Sequence, residues 1–465
     1  MAFIPNPTFI RLYLNYKKTV DRLWKLNNEE LKQYQTTQLH NMIDLAYTVP
    51  VYQEKFQKNQ ITKESIQNID DITTIPFTTK QDLRDYGTKG TIPKNFNKDK
   101  GFKVDTSGST GKPVSIYRDL PSIALEMTTT LRIMKSHNLS PNKTRISNIG
   151  DFTLDNSYDE ECIKRGVKDQ LGFLHSLYSG RYQNLFTGKK IVELMHDLNN
   201  FQPDMVIAYP GVLIGLLKLK QEGKGENFSP SHIIYSGGVL DPYTKKQIEN
   251  TFDTHLLGLY TGTESGVIAF QCPHRNFHVQ ADLVHIDAVD TNGDIVAPGE
   301  HGHVVVSRLY GGGTPIIRYT GMDDIITPID GECECGMHSP MIKNVEGRSV
   351  DSIVAPDGRI FPAATFTLIP GIVAQETGVD IIHRFQLIQH KKDHLEILLV
   401  INNEKREQVK SVEGLMKEIK RRYQHLIGDE MNIDIKEVDM VKEDPRNPGN
   451  LSSIVISHVE HKDWI

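Results

Sequence analysis

The sequence predicts an α/β protein, with a large N-terminal domain of mixed sheets and flanking helices and a small α+β domain after it. Three observations point there. Between residues 143 and 238, strand-like and helix-like segments alternate, which is the pattern of a largely parallel sheet. From Phe277 to Thr327 the strands become richer in turns, suggesting a second, more antiparallel layer. Around Glu346-Gly347-Arg348 the character changes again, and the chain beyond holds strand pairs and one strong amphipathic helix, Val412 to Ile427. The expected division is therefore 1–345 and 346–465.

The chain opens helically. Asn27 offers an N-cap ahead of Glu29 and Glu30, and Leu39, Met42, Ile43 and Ala46 recur at helical spacing, with Pro50 as a stop. Further on, the short segment from Lys143 to Ile149 leads to a polar break, and Lys190 to Leu198 reads as a helix. Met205 to Tyr209 then reads as a strand, Leu213 to Gln221 as a helix, and His232 to Tyr235 as a strand ending at Ser236-Gly237-Gly238. In such folds the loops at strand ends hold ligands.

Composition bounds the function. With 465 residues the chain can bury a sizeable core, and 38% hydrophobic with 24% charged residues is ordinary for a soluble protein. A net charge of −6, with both signs interspersed, gives no support to nucleic-acid binding. Met1 is followed by neither a basic region nor a long apolar run, and the longest apolar segment, Leu395 to Ile401, is strand-sized. A cytoplasmic protein without membrane insertion is the expectation.

The richest motif is Asp105-Thr106-Ser107-Gly108-Ser109-Thr110-Gly111-Lys112-Pro113, ahead of the strand-like Val114 to Tyr117. Its glycines let backbone N–H groups converge, and hydroxyls and an ammonium add donors, so the loop suits a phosphate. Pro113 after Lys112 rules out a Walker A helix start. A plain hairpin turn would use the same residues. Tyr260-Thr261-Gly262-Thr263-Glu264 follows a strand-like run, and a hydroxyl beside a carboxylate there suits a phosphate and its Mg²⁺. Pro315-Ile316-Ile317-Arg318-Tyr319 leads to Asp323-Asp324, where a carboxylate can accept both hydroxyls of a ribose, or simply end a strand.

Of the 4 cysteines, Cys162 stands apart; Cys272, Cys333 and Cys335 join His278 as a candidate closed tetrahedral zinc set. Such a set is structural. His274 competes as fourth ligand, but Phe277-His278-Val279 has the alternation of a strand that can aim a side chain.

In this order the pieces resemble the adenylate-forming superfamily, specifically its phenylacetate–CoA ligase branch, which also contains CapK-type capsule-biosynthesis proteins. The resemblance is carried by Thr-Ser-Gly-Ser-Thr-Gly-Lys-Pro at 106–113, Tyr-Ser-Gly-Gly at 235–238 and Tyr-x-Gly-Thr-Glu at 260–264. Pro-Ile-Ile-Arg-Tyr…Asp at 315–323, Glu-Gly-Arg at 346–348 and the early segment Thr74 to Leu83 complete it. It implies a large domain capped by a mobile C-terminal one, and an AMP-forming acid–thiol ligase. A carboxylic acid, aromatic by analogy, attacks Mg-ATP to give acyl-AMP, and CoA or an amine then displaces AMP. By position, Thr106, Ser107, Gly108, Ser109, Thr110, Gly111 and Lys112 would hold the phosphates. Ser236, Gly237 and Gly238 would wall the adenine, with Tyr260 stacking nearby. Thr263 would touch the α-phosphate, Glu264 would ligate Mg²⁺, and Asp323 would hold the ribose beside Arg348. Some members of the branch carry zinc in the Cys…His…Cys-x-Cys arrangement, and the analogy extends to a homodimer.

Two departures stand out. The superfamily's Arg-Thr-Gly-Asp run appears as Thr320-Gly321-Met322-Asp323, and its near-terminal lysine aligns with Asn450. Asparagine lacks the charge that clamps the reacting oxygens. Lys442 and Arg446 are the nearby cations that could replace it. The departure keeps two alternatives open. One is an amide- or ester-forming adenylating ligase of polysaccharide or secondary-metabolite biosynthesis; the other is a nucleotide-binding homologue impaired in adenylation.

Overall fold

The computed structural model describes residues 7–98, 101–105, 114–150, 181–225 and 227–348. Beyond these it describes 352–357, 381–409, 411–442, 455–459 and a few positions between 360 and 376. Helices α1 (Pro7–Lys25), α2 (Asn28–Ala46) and α3 (Pro50–Lys58) open the chain. Asn27 caps α2 through Glu30 N, and the Glu30 side chain returns the bond to Asn27 N at 3.0 Å, a reciprocal capping box. Pro50 starts α3, at a first-turn position where its missing N–H costs nothing, so the stop expected there belongs to Ala46. Helix α4 (Lys80–Gly90) begins at Thr79, whose side chain takes Asp82 N.

A hairpin of β1 (Gly101–Asp105) and β2 (Ser115–Asp119) leads into α5 (Leu120–Ser136). Strands β3 (Ile146–Gly150), β4 (Tyr182–Phe186), β5 (Met205–Ala208), β6 (His232–Ser236) and β7 (His255–Gly262) pair in parallel. Between them lie α6 (Ile191–Phe201), α7 (Pro210–Gln221) and α8 (Pro242–Phe252). Prolines open α7 and α8, so each helix starts close to the strand that precedes it. In β6, His232, Ile233, Ile234 and Tyr235 are all buried, as expected of a parallel strand covered on both faces.

At the turn Thr263-Glu264-Ser265 the chain reverses into β8 (Gly266–Gln271), and from there all pairing in this sheet is antiparallel. Strands β9 (Phe277–Val279), β10 (Val284–Val289), β11 (Gly302–Arg308), β12 (Asp324–Ile329) and β13 (Met341–Arg348) extend the sheet. The order is β10-β11-β12-β13-β9-β8-β7-β6-β5-β3-β4, 11 strands in one ladder among the described residues. The antiparallel strands expected as a second layer are thus continuous with the parallel ones. The β7–β8 hairpin joins the two halves edge to edge. Strand β13 also runs on to Arg348, across the division expected at 345/346.

The C-terminal part has its own core. A sheet of order β18-β17-β16-β19 comprises β16 (Ile382–Lys391), β17 (His394–Ile401), β18 (Asn432–Glu437) and β19 (Val455–Ser457). Helix α9 (Val412–Ile427) lays Leu415, Ile419, Tyr423 and Ile427 on it, an i, i+4 stripe. They pack with Leu387, Leu395, Ile397 and Leu399 in a cluster that includes no residue before Ile353. At the other end of the chain, α1 is sewn to the main body. Arg22 pairs with Asp282 at 2.6 Å, which also takes Arg132 at 2.6 Å, and Trp24 Nε1 donates to Cys335 O at 3.1 Å.

Candidate active site

The loops that follow β5, β6 and β7 lie on one edge of the sheet, because register pairs Ala208 with Tyr235 and Ser236 with Leu259. Ser236 Oγ sits 3.0 Å from Thr261 Oγ1. Gly237 has φ +74°, and a Cβ there would lie 2.7 Å from the Tyr209 ring, so glycine is required on both counts. Next to this loop, Val239 lies against Gly347 near the end of β13.

Glu264 is held from several sides. It is 5% exposed, its Oε1 accepts from Tyr319 OH at 2.8 Å, and its carbonyl faces Arg308 Nη1 at 3.4 Å. Burial and the Glu264 carboxylate push the Tyr319 phenol well above the ordinary range, so it stays a donor. The carbonyl of Thr263 accepts from Arg118. Across the site Asp323 sits at φ +58°, with Lys80 Nζ 4.0 Å from its Oδ2. Asp324 Oδ2 accepts from Tyr260 OH at 2.8 Å, and Asp324 lies opposite Arg348 in the β12–β13 register.

The packing ties Tyr260 into the body of the protein. Only 7% of it is exposed, its ring belongs to the main core, and its hydroxyl steadies Asp324. Met322, the residue that departs from the family run, packs over Gly262: a Cβ on Gly262 would meet Met322 Cε at 2.4 Å.

The structure thus brings together Ser236, Gly237, Gly238, Thr263, Glu264 and Asp323 with the backbone of Arg348. Residues 106–113, with Thr106, Ser107, Gly108, Ser109, Thr110, Gly111 and Lys112, lie outside the described residues, as do Arg446 and Asn450 and the Arg348 side chain. Lys442 is described and is engaged elsewhere. Its Nζ bonds Glu396 Oε2 at 2.8 Å, and Gln386 bonds both its backbone N and O, at 3.0 and 2.9 Å. To stand in for a lysine at 450 its ammonium would have to leave Glu396. Sequence reasoning passed over Lys80, Tyr319 and Arg118. Lys80 and Tyr319 sit inside segments singled out for other residues; for Arg118 no local signal exists.

The second constellation is the thiol–imidazole cluster. Ligand atoms of Cys272, His278, Cys333 and Cys335 all lie within 4.8 Å of one another. Cys272 Sγ is 3.7 Å from Cys333 Sγ, and Cys335 Sγ is 3.2 Å from His278 Nε2. Zinc–sulfur bonds of about 2.3 Å in a tetrahedron put sulfurs about 3.8 Å apart, so the spacing fits the ion. His278 Nδ1 lies 3.2 Å from Ser339 Oγ, a partner that orients the ring. His274 is outside the cluster, exposed and facing Glu334 at 3.7 Å. The Cys272 thiol is held below the usual range by the Cys335 hydrogen bond and His278. Strand β8 separates this cluster from Glu264, about 20 Å of extended chain.

No family model matches the chain. Phenylacetate-coenzyme A ligase of Escherichia coli is 24% identical over 388 residues, 80% of this chain and 82% of that protein. Protein CapK of Staphylococcus aureus is 20% identical over 448 residues, 96% and 93% of the two chains. Among solved structures, 2-hydroxyisobutyryl-CoA ligase in the postadenylation state matches with a TM-score of 0.74 at 17% identity, covering 90% of this chain and 88% of that one. The same ligase in the thioesterification state matches at 0.60 and 18% identity, covering 94% and 91%. The fold is that of adenylate-forming enzymes. Over most of its length the chain is similar to the phenylacetate–CoA ligase-like branch of that superfamily.

Proposed function

We propose that the protein is an ATP-dependent acyl-adenylating ligase that activates a carboxylic acid as acyl-AMP and passes the acyl group to CoA. The observation that carries this reading is the setting of Glu264. It is a buried carboxylate held by Tyr319 at 2.8 Å, at the ligand edge of the sheet and near the acid pair Asp323–Asp324. In this reading Glu264 would hold Mg²⁺, Thr263 would face the α-phosphate, Ser236 to Gly238 would wall the adenine, and Asp323, beside Lys80, would take the ribose. Lys112 and residues 106–111 would take the β- and γ-phosphates, and Arg348 would serve at the junction with a mobile lid formed by the chain from 346 onward. Oxygen of the substrate carboxylate attacks the α-phosphorus and pyrophosphate leaves. The CoA thiolate then attacks the acyl carbon and AMP leaves. Both steps need alignment and charge neutralisation more than covalent help from the protein.

Cys272, His278, Cys333 and Cys335 would hold a structural zinc, which fixes the end of β8 to the β12–β13 connection and leaves no open position for catalysis. A second reading has one specific support: Asn450 stands where the clamping lysine is expected, and Lys442 is tied to Glu396. On that reading adenylation is slow, and the acceptor is an amine or hydroxyl of a polysaccharide or secondary metabolite. ATP–pyrophosphate exchange over a panel of aryl and aliphatic acids, for wild type and Asn450→Lys, tests the first reading. Product mass with CoA and with amines separates it from the second. Exchange absent from both proteins across the panel, with no ATP binding, would sink the ligase assignment.

A further inference from the structure

Among the described residues two arginines are fully buried, and the fold treats them in opposite ways. Arg132 is saturated. Its Nη1 donates to Gln280 Oε1 and Asp282 Oδ1, both at 2.8 Å, and its Nη2 to Thr19 O and Asp282 Oδ2, both at 2.6 Å. Arg308, the last residue of β11, has no counterpart to that carboxylate. Its Nη1 reaches the carbonyl of Glu264 and its Nη2 the carbonyl of Tyr310, each at a long 3.4 Å. Its Nε meets no acceptor among the described residues. The acids around it serve other donors. Glu126 takes Arg118 Nη1 at 2.9 and 2.8 Å and Tyr310 OH at 2.7 Å, and Asp119 Oδ1 takes both N and Oγ of Ser122. Room for the guanidinium comes from Gly311, at φ +99°, where a Cβ would lie 2.7 Å from Arg308 Nη2 and 2.4 Å from Ser122 Oγ.

A buried cation without a counter-charge is unfavourable. The Tyr310 ring, with its centroid 5.0 Å from the guanidinium carbon, offers a weak cation–π face rather than an anion. Packing does not explain the residue either, since an apolar chain of similar volume would fill the space without that penalty. Its position does. The guanidinium touches the carbonyl of Glu264 from behind the Thr263–Ser265 turn, and the ligand edge of the sheet lies in front of that turn. There Glu264, Asp323 and Asp324 make the site acidic, so an incoming polyphosphate meets repulsion. In a low-dielectric interior the field of an unpaired charge is little screened and reaches through the turn. Arg118 lacks that reach, because Glu126 neutralises it.

We infer that Arg308 is a positioning residue whose unpaired charge, held behind the Thr263–Ser265 turn, draws and fixes a nucleoside polyphosphate in the site beyond it. The inference rests on the ligase reading above. The test is binding of ATP and of AMP, both with Mg²⁺, by isothermal titration calorimetry on the full chain of wild type, Arg308→Met and Arg308→Lys, with melting curves of the unliganded proteins. Methionine roughly keeps the volume and removes the charge. Its ATP affinity should fall about tenfold and its AMP affinity no more than about threefold, with melting at or above that of wild type. Lysine restores the charge and should bring ATP affinity to within about threefold of wild type. An arginine that only packs predicts lower melting for methionine and equal losses for ATP and AMP, which overturns the inference, as does a lysine variant no better than methionine. A methionine variant that does not fold overturns it too, because an unpaired charge is dispensable for folding. Wild type that binds no ATP overturns the ligase reading and this inference with it. Wild type that binds, with an unaffected methionine variant, overturns this inference alone.

Discussion

Tyr319→Phe removes a single oxygen from the centre of the site. The ring is fully buried and would stay in place, so no cavity opens and the loss is confined to the bond to Glu264 Oε1 at 2.8 Å. A hydrogen bond to a charged group contributes about 1.5–3 kcal/mol, and Glu264, only 5% exposed, has little water to replace the donor. Melting should therefore fall by several degrees, on the scale of about 2–4 °C per kcal/mol for a large domain. If the phenol also keeps the carboxylate aimed at its cation, pyrophosphate exchange should fall about tenfold for each 1.4 kcal/mol lost. Because burial and Glu264 keep the phenol protonated well past the usual range, the difference between the two proteins should be flat from pH 6 to about 9. Differential scanning fluorimetry and exchange kinetics on the two proteins read both effects. A variant that melts and exchanges like wild type would refute the claim that Tyr319 fixes Glu264.

Metal analysis should find zinc bound at one site per chain, and Cys333→Ser or prolonged chelation should lower the melting temperature markedly and release it; intact melting in a metal-free sample would exclude the staple. Gly237→Ala must adopt φ +74° with its Cβ 2.7 Å from Tyr209, so it should weaken ATP binding at least tenfold with a smaller change in melting, read by calorimetry. For Glu396, burial pushes the pKa up but is outweighed by hydrogen bonds from Lys436, Lys442 and His390, leaving it at about 2. Its folded value lies below its unfolded one, so its contribution is present above about pH 4.5 and is lost as pH falls from there toward 2. Glu396→Gln should accordingly be less stable than wild type in urea at pH 7, with the gap closing below pH 4; a gap constant with pH would refute the ion-pair account. Asn450→Lys should raise exchange above wild type, and equal rates would mean that another group already supplies the charge.

Local chemistry made part of this legible. Asn27 and the acids after it announce the start of α2, because a cap acts within a turn of itself, whereas the helix read from Leu213 starts at Pro210 and the helix from Pro242 was passed over. Strand alternation favours His278 over His274, and the fold places His278, not His274, beside the three thiols. The contacts that organise the site were not legible. Tyr319 meets Glu264 across 55 residues and Arg118 on β2 meets Thr263 across 145, and nothing near any of these residues encodes the partner. The same holds for the sheet: the periodicity of β8 to β13 reveals strands but is silent on whether they extend an existing ladder or start a new one. The covering of the Tyr260 ring was not legible for a related reason. A motif tells which residue stands at a strand end, while its neighbours decide which way it is covered.

The stitching of α1 bears on how the polypeptide can be trimmed. A first helix ahead of the candidate site invites removal in shortened versions of the protein, yet its last turn reaches the thiol–imidazole cluster. Trp24 reaches Cys335 O at 3.1 Å, Leu23 O takes His338 N at 2.7 Å, and Leu23 is fully covered. A polypeptide starting at residue 28 would bare that patch and leave Asp282 with Arg132 but without Arg22. Such a version should be sticky and oxidation-prone at Cys333 and Cys335, so the N-terminal helix sets the shortest form of this protein that can be handled reliably in air.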